Sequence, residues 1–351
     1  METHTLAGAV TLVASKDKVL SLEAVGWADI ANRQPMKTDA MFWIASQSKP
    51  MTAAALMMLV DEGKVNLDDP VEKYLPEFKG QMLAAEQDHE HVLLKKPSRP
   101  IMVREVLSHL SGLPFSSRLE RGTNGLKIDA LTLREAALSY AMTPLNAEPG
   151  TKHDYSNAGI NTAGRIIEVV SGMPYKVFME RRLFKPLGMK ETTFWPTAAQ
   201  VKRIAKAYRP NAAKNDLEET KIDQLTYPLS DPRRGPSPAG GYFSTARDMA
   251  RFCQMLLNNG TFEGRRYLTE EAVKEMTRKQ GGDAIKQRYG FGLSLGDGSF
   301  GHGGAYATNM TIDQQHGLVL IYMVQHAGYP GPDGGKIQPA FSKAAVELFG
   351  K

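Results

Sequence analysis

Ile44-Ala45-Ser46-Gln47-Ser48-Lys49-Pro50 runs straight into Met51-Thr-Ala-Ala-Ala-Leu-Met-Met-Leu-Val60. The second stretch is rich in strong helix formers and apolar all round, so it predicts a helix from Met51 to Val60 buried between other layers. Ser46 then stands as its N-cap. Lys49 lies one turn later on the same face, where its ammonium reaches back to the Ser46 hydroxyl. A serine nucleophile needs a nearby base and electrostatic help, and a helix N-terminus adds partial positive charge with unpaired N–H groups. Two readings stay open here: a nucleophile with its lysine, or a capping serine. The same spacing recurs at Ser15 and Lys18, between two strand-like runs that mark a hairpin turn, so spacing alone does not decide.

The chain has 351 residues, enough for two compact lobes and a large core. A net charge of +5 with basic residues only in short pairs, such as Lys95-Lys96, Arg181-Arg182 and Arg233-Arg234, argues against a nucleic-acid partner. The one cysteine, Cys253, permits no internal disulfide and no cysteine-rich zinc site, and it reads as a core residue. No apolar run approaches a membrane span, and Met1-Glu-Thr-His lacks a basic region followed by an apolar one. The expectation is a soluble protein: cytoplasmic as it stands, periplasmic or secreted if a leader has been removed.

Outward from the nucleophile stretch, Ala7 to Ala14 and Val19 to Gly26 predict a β-hairpin. Gly63 stops the first helix, and 66–76 follows as a turn and short helix. Residues 80–100 are charged and read as an irregular surface excursion. Val103 to Leu110, Leu131 to Ala141, Ala158 to Val170 and Tyr175 to Phe184 predict helices, and another begins near Ala246. Strand character returns at Tyr289 to Leu295, His302 to Asp313 and Leu318 to Gln325, and Lys336 to Phe349 closes the chain as an amphipathic helix. Strands at both ends with helices between imply an α/β fold of the α+β type. Residues 1–75 and 236–351 would form a discontinuous lobe with a largely antiparallel sheet, and 76–235 a mostly helical lobe. The cleft between them is the default site.

Tyr155-Ser156-Asn157 sits in a polar turn directly before a helix, where side chains can project into a cleft. A lysine cation beside Tyr155 would favour its phenolate, and Lys49 is the candidate; a loop tyrosine packed on the surface is the alternative. Gly301-His302-Gly303-Gly304-Ala305 opens a late strand, and glycine there lets a ligand approach the backbone. His-x-Gly also occurs at His326, read as capping the sheet or bonding a carbonyl. Gly292-Leu-Ser294-Leu-Gly296 matches a nucleophile-elbow pattern but lacks the strand, turn and helix an elbow needs. Asp88-His89-Glu90-His91 has metal-binding side chains yet no partner ligand at zinc spacing, so it reads as solvated loop and no metal is expected.

Taken in order, Ser46-x-x-Lys49, Tyr155-x-Asn157 and His302-Gly-Gly304 resemble the serine β-lactamase-like family, nearest to class C β-lactamases, family VIII carboxylesterases and D-alanyl-D-alanine carboxypeptidases. Val106-Leu-Ser-His-Leu-Ser-Gly-Leu-Pro114, Glu148-Pro-Gly150, Pro238-Ala-Gly-Gly-Tyr-Phe-Ser-Thr245 and Tyr289-Gly-Phe-Gly292 look like the same family, whose N-terminal helix is shortened or absent here. The resemblance implies that Ser46 attacks the acyl carbon, that Tyr155 is base and leaving-group acid, and that Lys49 orients it. It further implies that the backbone amides of Ser46 and Ala305 form the oxyanion hole, and that Asn157, His302, Gly303 and Gly304 bind substrate without any cofactor. Many β-lactamases of this kind begin the third motif with lysine, which helps bind the substrate carboxylate. Here it is His302, mostly neutral at pH 7, and after the last strand Lys336 is the only cation close by. The resulting expectation is a serine hydrolase on small carboxylic esters, with β-lactam or D-amino-acid peptide hydrolysis as the alternative. The rival from another class is a non-catalytic binding protein on the same fold.

Overall fold

The computed structural model describes residues 5–117, 127 and 129–350. Strand β1 (Gly8–Ala14) is buried on both faces, as a short apolar run should be, and turns into β2 (Val19–Asp29). Two-residue strands β3 (Gln34–Pro35) and β4 (Phe42–Trp43) follow. Separate hairpins come from β5 (Leu83–Gln87) with β6 (Val92–Lys95), and from β7 (Ala207–Pro210) with β8 (Leu217–Thr220). Next, β9 (Phe243–Ser244) pairs with β4, and β10 (Thr261–Phe262) pairs with β11 (Arg265–Arg266). Strands β12 (Ser294–Leu295), β13 (Ser299–Gly303), β14 (Asn309–Asp313) and β15 (Leu318–Met323) complete the set.

The main sheet has seven strands in the order β12-β13-β14-β15-β1-β2-β3, every neighbouring pair antiparallel. Both ends of the sequence therefore build it, and Val10 stands opposite Met323 on one side and Ala24 on the other. Helix Ala246–Leu257 covers one face, burying Met249, Phe252, Cys253 and Leu256. Cys253 Sγ lies 3.6 Å from Met310 Sδ in that core, as its sequence context implied. The C-terminal helix Gly334–Phe349 covers the other face, setting Ala345, Phe341 and Val346 on Val13, Leu318 and Leu320.

Helix α1 (Ser48–Asp61) buries every residue from Ser48 to Leu59. It begins three residues earlier than predicted, because Pro50 falls in the first turn, where its missing N–H is no loss. Against α1 packs helix Asn157–Ser171, and a short helix α2 (Val103–Leu107) packs on that one in turn.

Four expectations fail locally. Residues 80–100 are not irregular: they hold the β5–β6 hairpin, with Asp88 Oδ1 accepting from the N–H groups of Glu90 and His91 to make its turn. Tyr289 to Leu295 is a tight loop around Gly292 at φ +65°, and only Ser294-Leu295 joins the sheet. His302 to Asp313 is two strands, because Gly304 N–H bonds Thr308 O and Ala307 takes φ +64°, reversing the chain between β13 and β14. Ser46, lastly, is not a helix cap. It sits in a single 3-10 turn, Ala45–Gln47, ahead of α1, whose own N-cap is Gln47 without a side-chain bond.

Candidate active site

The 3-10 turn is held by Ser48, whose Oγ donates to Ala45 O at 2.6 Å, and Ala45 is forced to φ +44°, a region costly for alanine. This places the Ser46 hydroxyl, half-buried and unused by any cap, at the head of α1. Lys49 Nζ lies 3.0 Å from Ser46 Oγ, 2.8 Å from Asn157 Oδ1 and 2.8 Å from Ala239 O, and the side chain is fully buried. None of these partners is a carboxylate. Burial therefore holds the Lys49 ammonium well below its ordinary pKa of 10.5. Two of its contacts are carbonyl oxygens, which only accept, whereas the third is a hydroxyl. A neutral amine satisfies all three by donating twice and accepting the Ser46 proton.

Tyr155 hydrogen-bonds Ser46 through its hydroxyl, and its ring covers Lys49 Nζ at 4.7 Å from the centroid. Burial pushes the Tyr155 phenol up to about 12, with the Ser46 bond opposing, so the resting group is a phenol. Ser156 caps helix Asn157–Ser171, its Oγ accepting from Gly159 N–H and donating to Pro114 O, and this fixes the direction in which Tyr155 and Asn157 project.

On the opposite wall, β13 abuts the Ser46 turn. A Cβ on Gly304 would stand 2.6 Å from Ile44 O, so only glycine admits this approach. Gly303 and Ala305 are exposed at the strand end. His302 is buried: its Nε2 lies 2.9 Å from Tyr289 Oη and its Nδ1 2.6 Å from Gly303 O. Burial, followed by the Lys49 charge, pushes the imidazole down to about 3, leaving it neutral.

Two residues whose role no motif announced complete the group. His109, in the Leu-Ser-His-Leu-Ser-Gly stretch, puts Nε2 3.2 Å from Tyr289 Oη and Nδ1 3.1 Å from Ser156 N. Tyr289 is fully enclosed between the two histidines. Both stretches look like the family's, but nothing in their spacing says that they meet.

The competing motifs lie elsewhere. Ser294 is exposed and pairs with Gly301 in the β12–β13 ladder, and Ser15 Oγ bonds Asp17 in its turn. His326 accepts the Ala7 N–H at Nε2, one residue ahead of β1, at the end of that strand in the sheet. Lys336 pairs with Asp333 at the exposed start of the last helix. Among the described residues no three His, Cys, Asp or Glu side chains converge as a metal would need, the Asp88–His91 stretch included. Nor is any helix there long and apolar enough to cross a membrane. Most of the stretch from Phe115 to Leu126 lies outside the described residues.

The sequence profile of the Beta-lactamase family matches residues 1–343. The chain belongs to that family. Protein Rv1367c of Mycobacterium tuberculosis is 33% identical over 92% of this chain and 86% of its own length. Esterase EstB of Burkholderia gladioli is 28% identical over 95% and 89%. Among solved structures, EstCE1, described as a hydrolase with promiscuous acyltransferase activity, superposes with a TM-score of 0.79 at 26% identity, covering 97% of this chain and 93% of its own. The antiparallel sheet flanked by helices is accordingly the β-lactamase architecture that the motifs implied.

Proposed function

We propose that this family member is a carboxylesterase that hydrolyses small, uncharged esters through an acyl-enzyme on Ser46. The observation that carries the ester reading is His302. It occupies the place where many relatives put a lysine for a substrate carboxylate, and it is neutral with both nitrogens already engaged. The similarity to EstB and EstCE1 supports the same class.

In this reading Ser46 Oγ attacks the ester carbonyl as Lys49 takes its proton. Asn157 Oδ1 and Ala239 O hold the resulting ammonium. The amides of Ser46 and Ala305 bind the oxyanion. Tyr155 gives its hydroxyl proton to the departing alkoxide and is reprotonated from Lys49. Water then enters along the reverse path and releases the acid. Assigning the base to Lys49 and the acid to Tyr155 follows from burial, which makes the amine easier to deprotonate and the phenol harder.

The test is turnover of p-nitrophenyl butyrate and of nitrocefin by the protein and by Ser46→Ala. Ester turnover that disappears in Ser46→Ala, with slow nitrocefin cleavage, is the expected result. Fast nitrocefin cleavage would move the assignment to β-lactams, and turnover surviving in Ser46→Ala would overturn the nucleophile. A fluorophosphonate probe should label the protein and Ser294→Ala alike, and leave Ser46→Ala unlabelled.

A further inference from the structure

The four polar contacts running from Ser156 to Gly303 have only one consistent set of proton positions. A backbone N–H can only donate, so His109 Nδ1 accepts from Ser156. The ring, kept neutral by burial, then carries its proton on Nε2 and donates to Tyr289 Oη at 3.2 Å. At the far end Gly303 O can only accept, so His302 Nδ1 is protonated and its Nε2 is bare. Tyr289 must therefore donate to His302 Nε2, at 2.9 Å. Every hydrogen bond points the same way, from Ser156 towards Gly303.

Both ends of this chain of bonds are anchored at the candidate chemistry. His109 stands at φ +61° and grips the Tyr155 segment twice, its carbonyl accepting from Asp154 N–H at 2.9 Å and its ring from Ser156 N–H at 3.1 Å. At the other end the Gly303–Gly304 peptide is clamped on both edges: its oxygen by His302, and its N–H by Thr308 O at 2.7 Å. The next peptide carries the Ala305 N–H. An oxyanion donor works by being aimed before the reaction begins, and a fixed preceding peptide supplies that aim.

We propose that His109 and Tyr289 are positioning residues: with His302 they form a one-directional hydrogen-bond clasp that ties the Tyr155–Asn157 segment to the Gly303–Gly304 peptide and holds the Ala305 amide against Ser46. The groups facing His109 are the rings of His153, Tyr155 and Tyr289, with Lys49 beyond; those facing His302 are Tyr289, Tyr155 and Lys49. No carboxylate is among them to draw either imidazole into its charged form. The kinetic part of the inference rests on the Ser46 reading; the proton positions do not.

Long-range 1H–15N NMR of the histidine rings tests the clasp without reference to activity. His109 should show the Nε2–H tautomer and His302 the Nδ1–H tautomer, with neither titrating near the ordinary value of about 6.5. The opposite tautomer on either ring, or an ordinary titration, would overturn the proposal. Tyr289→Phe should shift the His302 Nε2 resonance, which loses its only donor while Gly303 O keeps the proton on Nδ1, and lower kcat with little change in KM, by less than the roughly 10²–10³ that loss of a whole oxyanion donor costs. An unchanged His302 spectrum or kcat in that variant would also overturn it. Should Tyr289→Phe fail to fold, His109→Gln serves: it keeps a donor towards Tyr289 and loses the acceptor for Ser156. It should retain the His302 tautomer, and loss of that tautomer would count against the clasp. If Ser46 proves inert, the spectra still decide; if esters are turned over while the tautomers are wrong, the clasp alone falls.

Discussion

Lys49 Nζ sits 3.0 Å from Ser46 Oγ with two carbonyl oxygens and no carboxylate around it. A buried amine so placed is more acidic than an exposed lysine, and kcat/KM for esters should rise with pH through an ionisation below 10.5 and then level off. Lys49→Arg, which cannot shed its proton, should lose about 10²–10⁴-fold in acylation rate, the span ascribed to general-base catalysis. Near-normal rates in Lys49→Arg would remove Lys49 as the base.

The same lysine bears on stability. Its folded pKa lies below the unfolded value, so between the two the unfolded chain binds more protons, and stability rises with pH across that window. Lys49→Met should therefore raise Tm at neutral pH while abolishing turnover, an exchange of stability for function common at active sites. Thermal scans at several pH values check this: a lower Tm for Lys49→Met than for the parent would refute it.

Tyr155 is held as a phenol, and its task in the proposed mechanism is to protonate the leaving group. Tyr155→Phe should then damage alkyl esters far more than p-nitrophenyl esters, because nitrophenolate leaves unaided. An equal loss on both substrates would point to a base or to ground-state binding instead.

Asp248, in the first turn of helix Ala246–Leu257, accepts from Glu191 N–H and Thr192 Oγ1, yet burial raises its carboxyl to about 6. Its folded pKa exceeds the unfolded one of 3.8, so the folded state binds the extra proton between pH 3.8 and 6 and stability falls as pH rises through that window. Asp248→Asn keeps an acceptor for both donors and should flatten this slope. Urea unfolding at pH 4.5 and 7 measures it, and an unchanged slope would exclude Asp248 as its source.

Arg234 and Asp129 form a buried ion pair at 2.6 Å, and Asp129 also holds Thr226 through its amide and hydroxyl. Removing one partner leaves the other charged and enclosed, so Asp129→Ala should cost about 3–5 kcal/mol in urea unfolding. Replacing both with apolar residues should cost less than the single change, and the reverse order would contradict the argument.

What the sequence made legible was what local pattern encodes. The apolar run after Ser46 announced α1, and the Ser-x-x-Lys spacing put Lys49 within reach of the hydroxyl because helix geometry fixes that distance. The cap reading of Ser46 failed because it turned on Ala45 adopting a positive φ, which an alanine does not advertise. The loop at 289–295 and the reversal after Gly303 failed for a similar reason: both runs alternate like strands, but Gly292 and Gly304 are used for close approach to α1 and to Ile44. His109 and Tyr289 were in view as parts of family-like stretches. Their partnership, however, depends on the sheet docking against the helices, and no spacing rule carries that.

The pairing of Val10 with Met323 also governs when this protein can fold. Strand β1 can pair with β2 as soon as both are made, but the sheet closes only once β15 has followed, so the two-stranded ribbon waits with an apolar edge unpaired. During that wait the Ser46 turn has no β13 to lie against. The proposed chemistry therefore waits on the strands that complete the sheet, and a chain halted before β13 has its Ser46 turn and nothing to aim at it.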